Sequence, residues 1–124
     1  MDDSALVAAA AGAIEQAYAP YSGARVGAAV LTDDGEVFTA CNVENASYGL
    51  TICAERAAIF AAVAAGHRRV VKVAIAADGI ERPLPCGACL QVMNEFGVER
   101  VIVAKPGGHE TYGLADLLPR PFKL

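Results

Sequence analysis

Four residues of the 124-residue chain have the types and spacing that metal-assisted catalysis requires. Cys53 lies two residues before Glu55, and Cys86 lies three residues before Cys89, directly after Pro85. Each pair stands where a helix-like segment begins, and a helix N-terminus favours anions and lowers the pKa of a thiol. We therefore expect Cys53, Cys86 and Cys89 to be thiolates that two facing helix N-termini offer to one metal ion.

Three protein ligands and an open fourth position are typical of a catalytic zinc site, whereas a structural site has four. The candidates for a fourth zinc ligand are poorly placed, since we expect His67 at the far end of its helix, His109 in a glycine-rich loop and Cys41 in a strand. The open position would hold a water molecule whose pKa zinc lowers toward neutrality. Glu55, close to that water but not bound to the metal, is the candidate proton shuttle.

Arg56 follows Cys53 by three residues and should share its helical face. Three thiolates and Zn²⁺ sum to a net charge of about −1, and N–H···S bonds from Arg56 would offset this negative charge at the metal site. The cysteines alone leave other interpretations open, among them a redox pair or a zinc-stabilised binding module without catalysis. Glu55 favours catalysis, because a purely structural cysteine site needs no adjacent carboxylate.

Helices and strands that could position these residues follow from periodicity and turn signals. We predict helices at 4–18, 51–66, 86–96 and 114–119, and strands at 25–31, 36–43, 70–77 and 100–104. Ser4 is the predicted N-cap of the first helix, and Gly66 and Gly97 end the second and third. Asp34-Gly35 predicts a hairpin between the first two strands, and 105–113 is predicted to be a loop.

This order of elements predicts an α/β fold, a three-layer α/β/α sandwich with a mixed central sheet. Each strand–helix–strand step should be a right-handed crossover between parallel neighbours. The length allows one domain with a real core, so we expect residues 1–124 to form a single domain.

The composition bounds the partners of the chain. It is 55% hydrophobic and 19% charged, with a net charge of −4 and no block of basic residues, which argues against a nucleic-acid partner. No apolar run approaches membrane-spanning length and no leader is evident, so we expect a soluble, cytoplasmic protein without a membrane partner. The hydrophobic excess in so small a chain indicates apolar surface that other subunits cover.

The sequence closely resembles the small homotetrameric zinc cytidine deaminases from "AYAPYS" to "LLPRPF". The resemblance is carried by "VGAAVLTDDG", "CNVENASYGLTICAERAAIF" and "PCGACLQVMNEF". The Cys-x-Glu and Pro-Cys-x-x-Cys pair is the pattern of zinc nucleobase deaminases. The resemblance implies a cytidine deaminase-like fold, Zn²⁺ as cofactor and a homotetramer whose subunits share active sites. It also implies hydrolytic deamination of cytidine and deoxycytidine to the uridine nucleosides, with zinc-bound hydroxide attacking C4.

The resemblance also assigns residues. Cys53, Cys86 and Cys89 would bind zinc, and Glu55 would protonate N3 and the leaving ammonia; the carbonyl of Cys86 would face the amino group. Asn42 and Glu44 would bind the ribose hydroxyls, and the backbone N–H of Ala54 would lie near the pyrimidine carbonyl. Ala46, Tyr48 and Phe122 would lie beside the substrate of a neighbouring subunit.

Three positions depart from the family pattern. Ala24 occupies the place of a phenylalanine that stacks on the base, Arg25 follows where an uncharged residue is usual, and Leu90 replaces an arginine. Loss of base stacking costs roughly 1–3 kcal/mol. Either Arg25 stacks its guanidinium and takes over from the lost arginine, or the pocket admits bulkier cytosines substituted at N4 or C5.

Two further functions are compatible with this fold class. One is deamination of an aminoacylnucleoside antibiotic of the blasticidin S type, against which the "NVENASYG" segment favours an ordinary ribose. The other is editing of a polynucleotide, which the short acidic chain without a basic groove disfavours.

Overall fold

The computed structural model describes residues 1–124 and consists of one five-stranded sheet with helices on both faces. The helices are α1 (Asp3–Ala13), α2 (Ala54–Ala64), α3 (Gly87–Glu95) and α4 (Leu114–Leu117). The strands are β1 (Arg25–Thr32), β2 (Val37–Cys41), β3 (Val70–Asp78), β4 (Arg100–Lys105) and β5 (Gly108–Gly113). Short 3₁₀ turns follow α1, at Ile14–Gln16, and precede α2, at Tyr48–Leu50.

The strand order is β2-β1-β3-β4-β5, and the sheet is mixed as predicted. Strand β1 is antiparallel to both β2 and β3, and β5 is antiparallel to β4. Strands β3 and β4 are parallel neighbours, with Val73 opposite Val101 and Ile75 opposite Val103. The expectation of parallel neighbours is wrong for β2 and β3, because β1 lies between them.

The three central strands are buried on both faces, so their alternate residues enter two separate cores. One core lies against α2 and α3 and includes Ala28, Val30, Val73, Ile75, Val101 and Val103. The other lies against α1 and includes Ala29, Ala74, Ala76 and Ile102. The chain is therefore the three-layer α/β/α sandwich that the element order predicts.

Helix α1 approaches β1 very closely at Gly27. A Cβ atom at this position would lie 2.1 Å from the carbonyl oxygen of Ala10 and 2.9 Å from the amide nitrogen of Ile14. Leu6, Ala10 and Ile14 follow one another at intervals of four and form the buried face of the helix and its 3₁₀ extension. Glycine is therefore required in β1 for this face to reach the sheet.

The ends of α1 differ from the prediction. Asp2, not Ser4, is the N-cap, and its Oδ1 accepts a hydrogen bond from Ala5 N at 2.8 Å. The α-helix ends at Ala13 and tightens into a 3₁₀ turn instead of continuing to residue 18. The Arg25 guanidinium stabilises this end, since its Nη2 donates to the carbonyl oxygens of Ile14 and Glu15 at 3.0 and 2.8 Å.

The prediction of a loop at 105–113 is wrong, because Gly108–Gly113 is the edge strand β5. It pairs with β4 through a turn in which Gly107 has a φ of +80°, a conformation that glycine adopts without steric cost. An edge strand with one exposed face needs few apolar residues, so its sequence lacks the alternation that identifies buried strands. The longest helices have 11 residues, and no helix is long and apolar enough to cross a membrane.

Candidate active site

Two of the three cysteines are the N-cap residues of the facing helices. Cys53 precedes α2 with φ −72° and ψ 152°, and Cys86 precedes α3 with φ −75° and ψ 169°. Because both have extended backbones, their side chains do not follow helical angles, and Cys53 can share one site with Glu55 two residues later. Cys89 lies in the first turn of α3 and is buried. The two helix starts thus bring the predicted residues together.

The sulfur atoms have a spacing that suits a metal ion. Sγ of Cys86 lies 3.9 Å from Sγ of Cys53 and 3.6 Å from Sγ of Cys89, and all three lie within 4.8 Å of one another. Tetrahedral ligands at a Zn–S distance of about 2.3 Å are separated by about 3.8 Å. The three thiols therefore fit zinc as they stand, and no further Cys, His, Asp or Glu belongs to this group.

Protons are shared unequally among the thiols. The pKa of Cys53 is lowered to about 5, mainly because Cys89 donates a hydrogen bond to its sulfur, with Arg56 adding a second. The same bond and burial raise the pKa of Cys89. Without a metal ion, Cys89 therefore keeps its proton and Cys53 is the thiolate of the group. Because thiolates are the metal ligands, binding of a cation would release that proton.

Arg56 lies beside the thiols, as its spacing predicts. Its Nη2 donates to Sγ of Cys53 at 3.4 Å, and its Nε is buried without a hydrogen-bond partner. A guanidinium at this distance lowers the negative charge that the sulfur presents to a metal.

Glu55 lies in the first turn of α2 and is only 5% exposed. Burial raises its pKa to about 7, and the nearby negative charge of Cys53 contributes in the same direction. A carboxyl group with a pKa near neutrality exchanges protons in both directions at physiological pH. This is the property that a proton shuttle needs.

A cavity of about 300 Å³ opens above the thiols, at the lower end of the range for small-molecule sites. Cys53, Ala54, Glu55 and Cys86 form its metal-binding end. Its walls are formed by Val26, Asn42, Thr51 and Ile75, and by Ile80, Arg82, Pro83 and Leu84 of the loop before α3.

Asn42, in the wall of this cavity, and Glu44, two residues later, make structural hydrogen bonds. Oδ1 of Asn42 accepts from Val26 N at 2.9 Å, and its Nδ2 donates to the carbonyl oxygen of Ala24 at 2.8 Å. The Glu44 carboxylate accepts from the backbone N–H groups of Tyr21 and Ser22 at 2.9 and 3.1 Å. Oε1 of Glu44 accepts both of these bonds, and its Oε2 accepts one more from Ser22 Oγ at 2.5 Å. Toward a ligand, Glu44 thus keeps one lone pair on Oε2, and Asn42 keeps one lone pair on Oδ1 and one N–H of Nδ2.

The residues assigned to a neighbouring subunit's substrate lie on the surface. Ala46 is exposed, and Tyr48 is 74% exposed with its ring edge-on to Tyr21 at a centroid distance of 5.9 Å. A second cavity of about 300 Å³, next to the first, includes Tyr48 and Glu44 in its lining. Phe122 is 69% exposed and lines neither cavity.

The three departures from the family pattern lie away from the thiols or in the core. Arg25 contacts the end of the α1 segment and lies 3.9 Å from Asp78, so its guanidinium is not beside the cysteines. Ala24 does not line the cavity, and Leu90 is 8% exposed in the core. Within one chain, the structure therefore contradicts the interpretation that Arg25 replaces the missing arginine.

Three residues in or near the site belong to none of the cysteine motifs that predicted it. Thr51 and Arg82 line the cavity, and Gln91 binds the backbone of Phe122. Only their position next to the cysteine motifs could have indicated Thr51 and Arg82, and Gln91 carried no signal.

A second metal-ligand group, formed by Asp34, Glu36 and His67, lies at the β1–β2 turn. The two carboxylates face different nitrogens of the His67 ring, Nδ1 and Nε2. The two carboxylates are exposed and the imidazole bonds to both of them, so the three side chains form a surface hydrogen-bonded cluster, to which no metal is assigned.

A buried carboxyl group beside three thiols with zinc spacing, in an α/β/α sandwich, defines a zinc-dependent hydrolase of the nucleobase deaminase class. The model of the cytidine and deoxycytidylate deaminase zinc-binding region matches residues 1–105. The chain belongs to this family.

Relatives of known name agree with this assignment. A cytidine deaminase of Halalkalibacterium halodurans is 55% identical over 97 residues, which cover 77% of this chain and 73% of the relative. A cytidine deaminase of Sporosarcina psychrophila is 43% identical over 98% of this chain and 92% of its own length. The crystal structure of a cytidine deaminase from Burkholderia pseudomallei has a TM-score of 0.92 and 48% identity, with 98% and 100% of the two chains covered.

Proposed function

We propose that the chain catalyses the zinc-dependent hydrolytic deamination of cytidine and deoxycytidine to the uridine nucleosides. The observation that carries this proposal is the buried Glu55 beside three thiols with zinc spacing at the end of a cavity. The relatives named cytidine deaminase support the substrate class.

Cys53, Cys86 and Cys89 would hold zinc, whose Lewis acidity lowers the pKa of a water molecule enough for attack on C4. Glu55 takes a proton from that water and delivers it to N3 of the base. Glu55 then takes the second proton of the water from the hydroxyl group now on C4 and passes it to the amino group; the C4–N4 bond breaks, the C4 carbonyl forms, and ammonia leaves. Water and cytidine are thus converted to uridine and ammonia without any other reactant.

The other residues of the site bind and orient the nucleoside. The Ala54 N–H, at the first helical position of α2, has no partner within the helix and would donate to the pyrimidine carbonyl. The carbonyl of Cys86 accepts from Leu90 N at 3.0 Å and has a second lone pair for the amino group. Asn42 and Glu44 would bind the ribose hydroxyls with the capacity that their structural bonds leave.

The alternative functions are not favoured. Identities of 43% and 55% with cytidine deaminases support a plain nucleoside over an aminoacylnucleoside antibiotic. The buried carboxyl group of Glu55 argues against a zinc-stabilised binding module, which has no use for it. Acceptance of cytosines substituted at N4 or C5 stays a prediction, motivated by Ala24, that a panel of substituted nucleosides would test.

We also propose a homotetramer in which Ala46, Tyr48 and Phe122 complete a neighbouring active site. Its support is an apolar surface formed by Tyr18, Tyr21, Val43, Tyr48 and Leu50, whose side chains are 47–74% exposed. Tyr18 and Val43 form a β-bridge, Tyr21 contacts Tyr48, and Leu50 belongs to the same 3₁₀ turn as Tyr48.

The substitution Glu55→Gln tests the proposed mechanism. We expect kcat for cytidine to fall by at least about 100-fold, because the amide cannot transfer the proton, with about one zinc per chain retained. Glu95→Gln is the matched control, since Glu95 is exposed on α3. Turnover is measured from the absorbance change on deamination. Near-normal turnover by the Glu55 variant would exclude the proposed role.

A further inference from the structure

The C-terminal segment 119–124 makes two hydrogen bonds, and both are to the side chain of Gln91. The backbone N–H of Phe122 donates to Oε1 of Gln91 at 3.1 Å. Nε2 of Gln91 donates to the backbone carbonyl oxygen of Phe122 at 3.0 Å. One side-chain amide therefore satisfies both polar groups of a single backbone residue, in the manner of a strand partner.

This pairing holds the backbone of Phe122 and leaves its ring in solvent. The ring is 69% exposed, although it is the largest apolar group of the segment. Pro119 and Pro121 precede it and fix two backbone φ angles, so the segment is stiff up to the point where Gln91 binds it. An exposed aromatic side chain on a fixed backbone is suited to bind a partner at little entropic cost.

Gln91 also links the segment to the thiols. It follows Cys89 by two residues on α3, so the two side chains point to nearly opposite sides of the helix. Cys89 is buried and Gln91 is half-buried, with its amide directed at the C-terminal segment. The helix that supplies two thiols therefore also sets the position of Phe122. That ring lines neither cavity of its own chain, so any substrate that it reaches belongs to another chain.

We propose that Gln91 is a positioning residue for turnover: its amide holds Phe122 so that the ring completes the substrate cavity of a neighbouring chain. The inference rests on the proposed deaminase function and on the exchange of residues between subunits. Gln91 lines neither cavity of its own chain, so its contribution to substrate binding would be indirect, through Phe122.

Kinetics of the zinc-loaded Gln91→Met variant provide the test, because methionine keeps the length of the side chain and removes both hydrogen bonds. We expect KM for cytidine to rise about tenfold, with kcat changed less than about twofold, as the loss of two bonds would give. Gln91→Glu keeps the acceptor for Phe122 N–H and should show a smaller rise. Gln16→Met, the same substitution at an exposed glutamine of the 3₁₀ turn, should leave both constants unchanged.

A double-mutant cycle with Phe122→Ala separates positioning from general stability. Phe122→Ala alone should raise KM, and Gln91→Met should add less than about a further twofold in that background, since there is no ring to position. Hydrogen exchange should also quicken about tenfold at the amide of Phe122 in Gln91→Met.

Each contrary result has a distinct meaning. A wild-type KM in Gln91→Met, unchanged exchange at Phe122, or an equal effect in both backgrounds would overturn the role of Gln91. A wild-type KM in Phe122→Ala would overturn that role together with the contribution of Phe122 to a neighbouring site. Failure of the deaminase function itself would be visible separately, as substantial turnover by Glu55→Gln.

Discussion

At the scale of single residues, the site depends on a carboxyl group whose pKa burial has raised to near neutral pH. Glu55 is 5% exposed, and its pKa is raised to about 7. The protein thereby accepts a cost in stability at neutral pH, because an ionised carboxylate is poorly solvated at this position. Active sites commonly carry such costs, since the same desolvation adapts the group to proton transfer.

The stability cost of Glu55 should be measurable from the pH dependence of unfolding. Its folded-state pKa of about 7 exceeds the ordinary 4.5, so between these values the folded chain holds a proton that the unfolded chain releases. The contribution of Glu55 to the free energy of unfolding should therefore fall as pH rises through this interval, by up to roughly 3 kcal/mol. The lowered pKa of Cys53 contributes in the opposite direction above pH 5, because the unfolded chain then holds a proton that the folded thiol has lost. Denaturant unfolding of the wild type and of Glu55→Gln with a chelator present, at pH 5 and pH 8, would isolate the contribution of Glu55, because both proteins contain Cys53.

From pH 5 to pH 8, the free energy of unfolding of Glu55→Gln should rise relative to that of the wild type, and the variant should be the more stable protein at pH 8. The exposed Glu95→Gln variant should keep the wild-type dependence. Equal slopes for wild type and Glu55→Gln would show that Glu55 ionises as freely in the folded chain as in the unfolded one.

The chemistry of the site was predictable from the sequence where its determinants are local. Cys53, Glu55, Cys86 and Cys89 were identified because helix starts and short spacings fix their relative positions. Arg82 and Gln91 were not identified, because their roles depend on contacts with Glu110, at 3.2 Å, and with Phe122, both distant in sequence. Composition and spacing contain no information about such contacts.

At the scale of elements, the predicted core agrees with the structure where strands are buried on both faces. Strands β1, β3 and β4 have continuous apolar runs and were predicted correctly. Strand β5 was missed, because an edge strand with an exposed face needs no apolar pattern. The end of α1 was misplaced, because a tertiary contact from Arg25 stabilises it rather than a local sequence signal.

The packing of α1 on β1 leads to a prediction about two glycines. Gly27→Ala should destabilise the fold by about 1–3 kcal/mol, because the added methyl group would overlap the Ala10 carbonyl oxygen, 2.1 Å away. Gly12→Ala should instead stabilise it by up to about 1 kcal/mol, since Gly12 lies in α1 with open space around it. Denaturant midpoints of the two zinc-loaded variants would check the signs. A Gly27→Ala protein as stable as the wild type would mean that α1 can move away from the sheet at no cost.

At the scale of the whole molecule, the hydrophobic composition and the exposed surface have one explanation. The chain is 55% hydrophobic, yet Tyr18, Tyr21, Val43, Tyr48 and Leu50 lie largely in solvent in a single copy. Contiguous apolar surface of this kind usually contacts other chains. This surface adjoins Glu44 and Thr51, so a second copy bound there would also lie beside the cavity.

Leu50→Lys should therefore disrupt assembly and activity together. Leu50 is 64% exposed, so lysine at this position should not disturb the fold of one chain, but it would bury a charge in the proposed interface. We expect light scattering to show smaller species than the tetramer proposed for the wild type, and kcat/KM to fall at least about tenfold as neighbouring residues leave the site. The far-ultraviolet circular dichroism spectrum should stay unchanged.

Ala8→Lys is the matched control, because Ala8 is exposed on α1, in the layer on the other face of the sheet from the thiols. It should keep the wild-type mass and activity. A monomeric wild-type protein with full turnover would show that one chain forms a complete site. A Leu50→Lys protein that stays tetrameric would instead place the interface elsewhere on the chain. Smaller species with unchanged kinetics would separate assembly from catalysis, since the site would then need no residue from a neighbour.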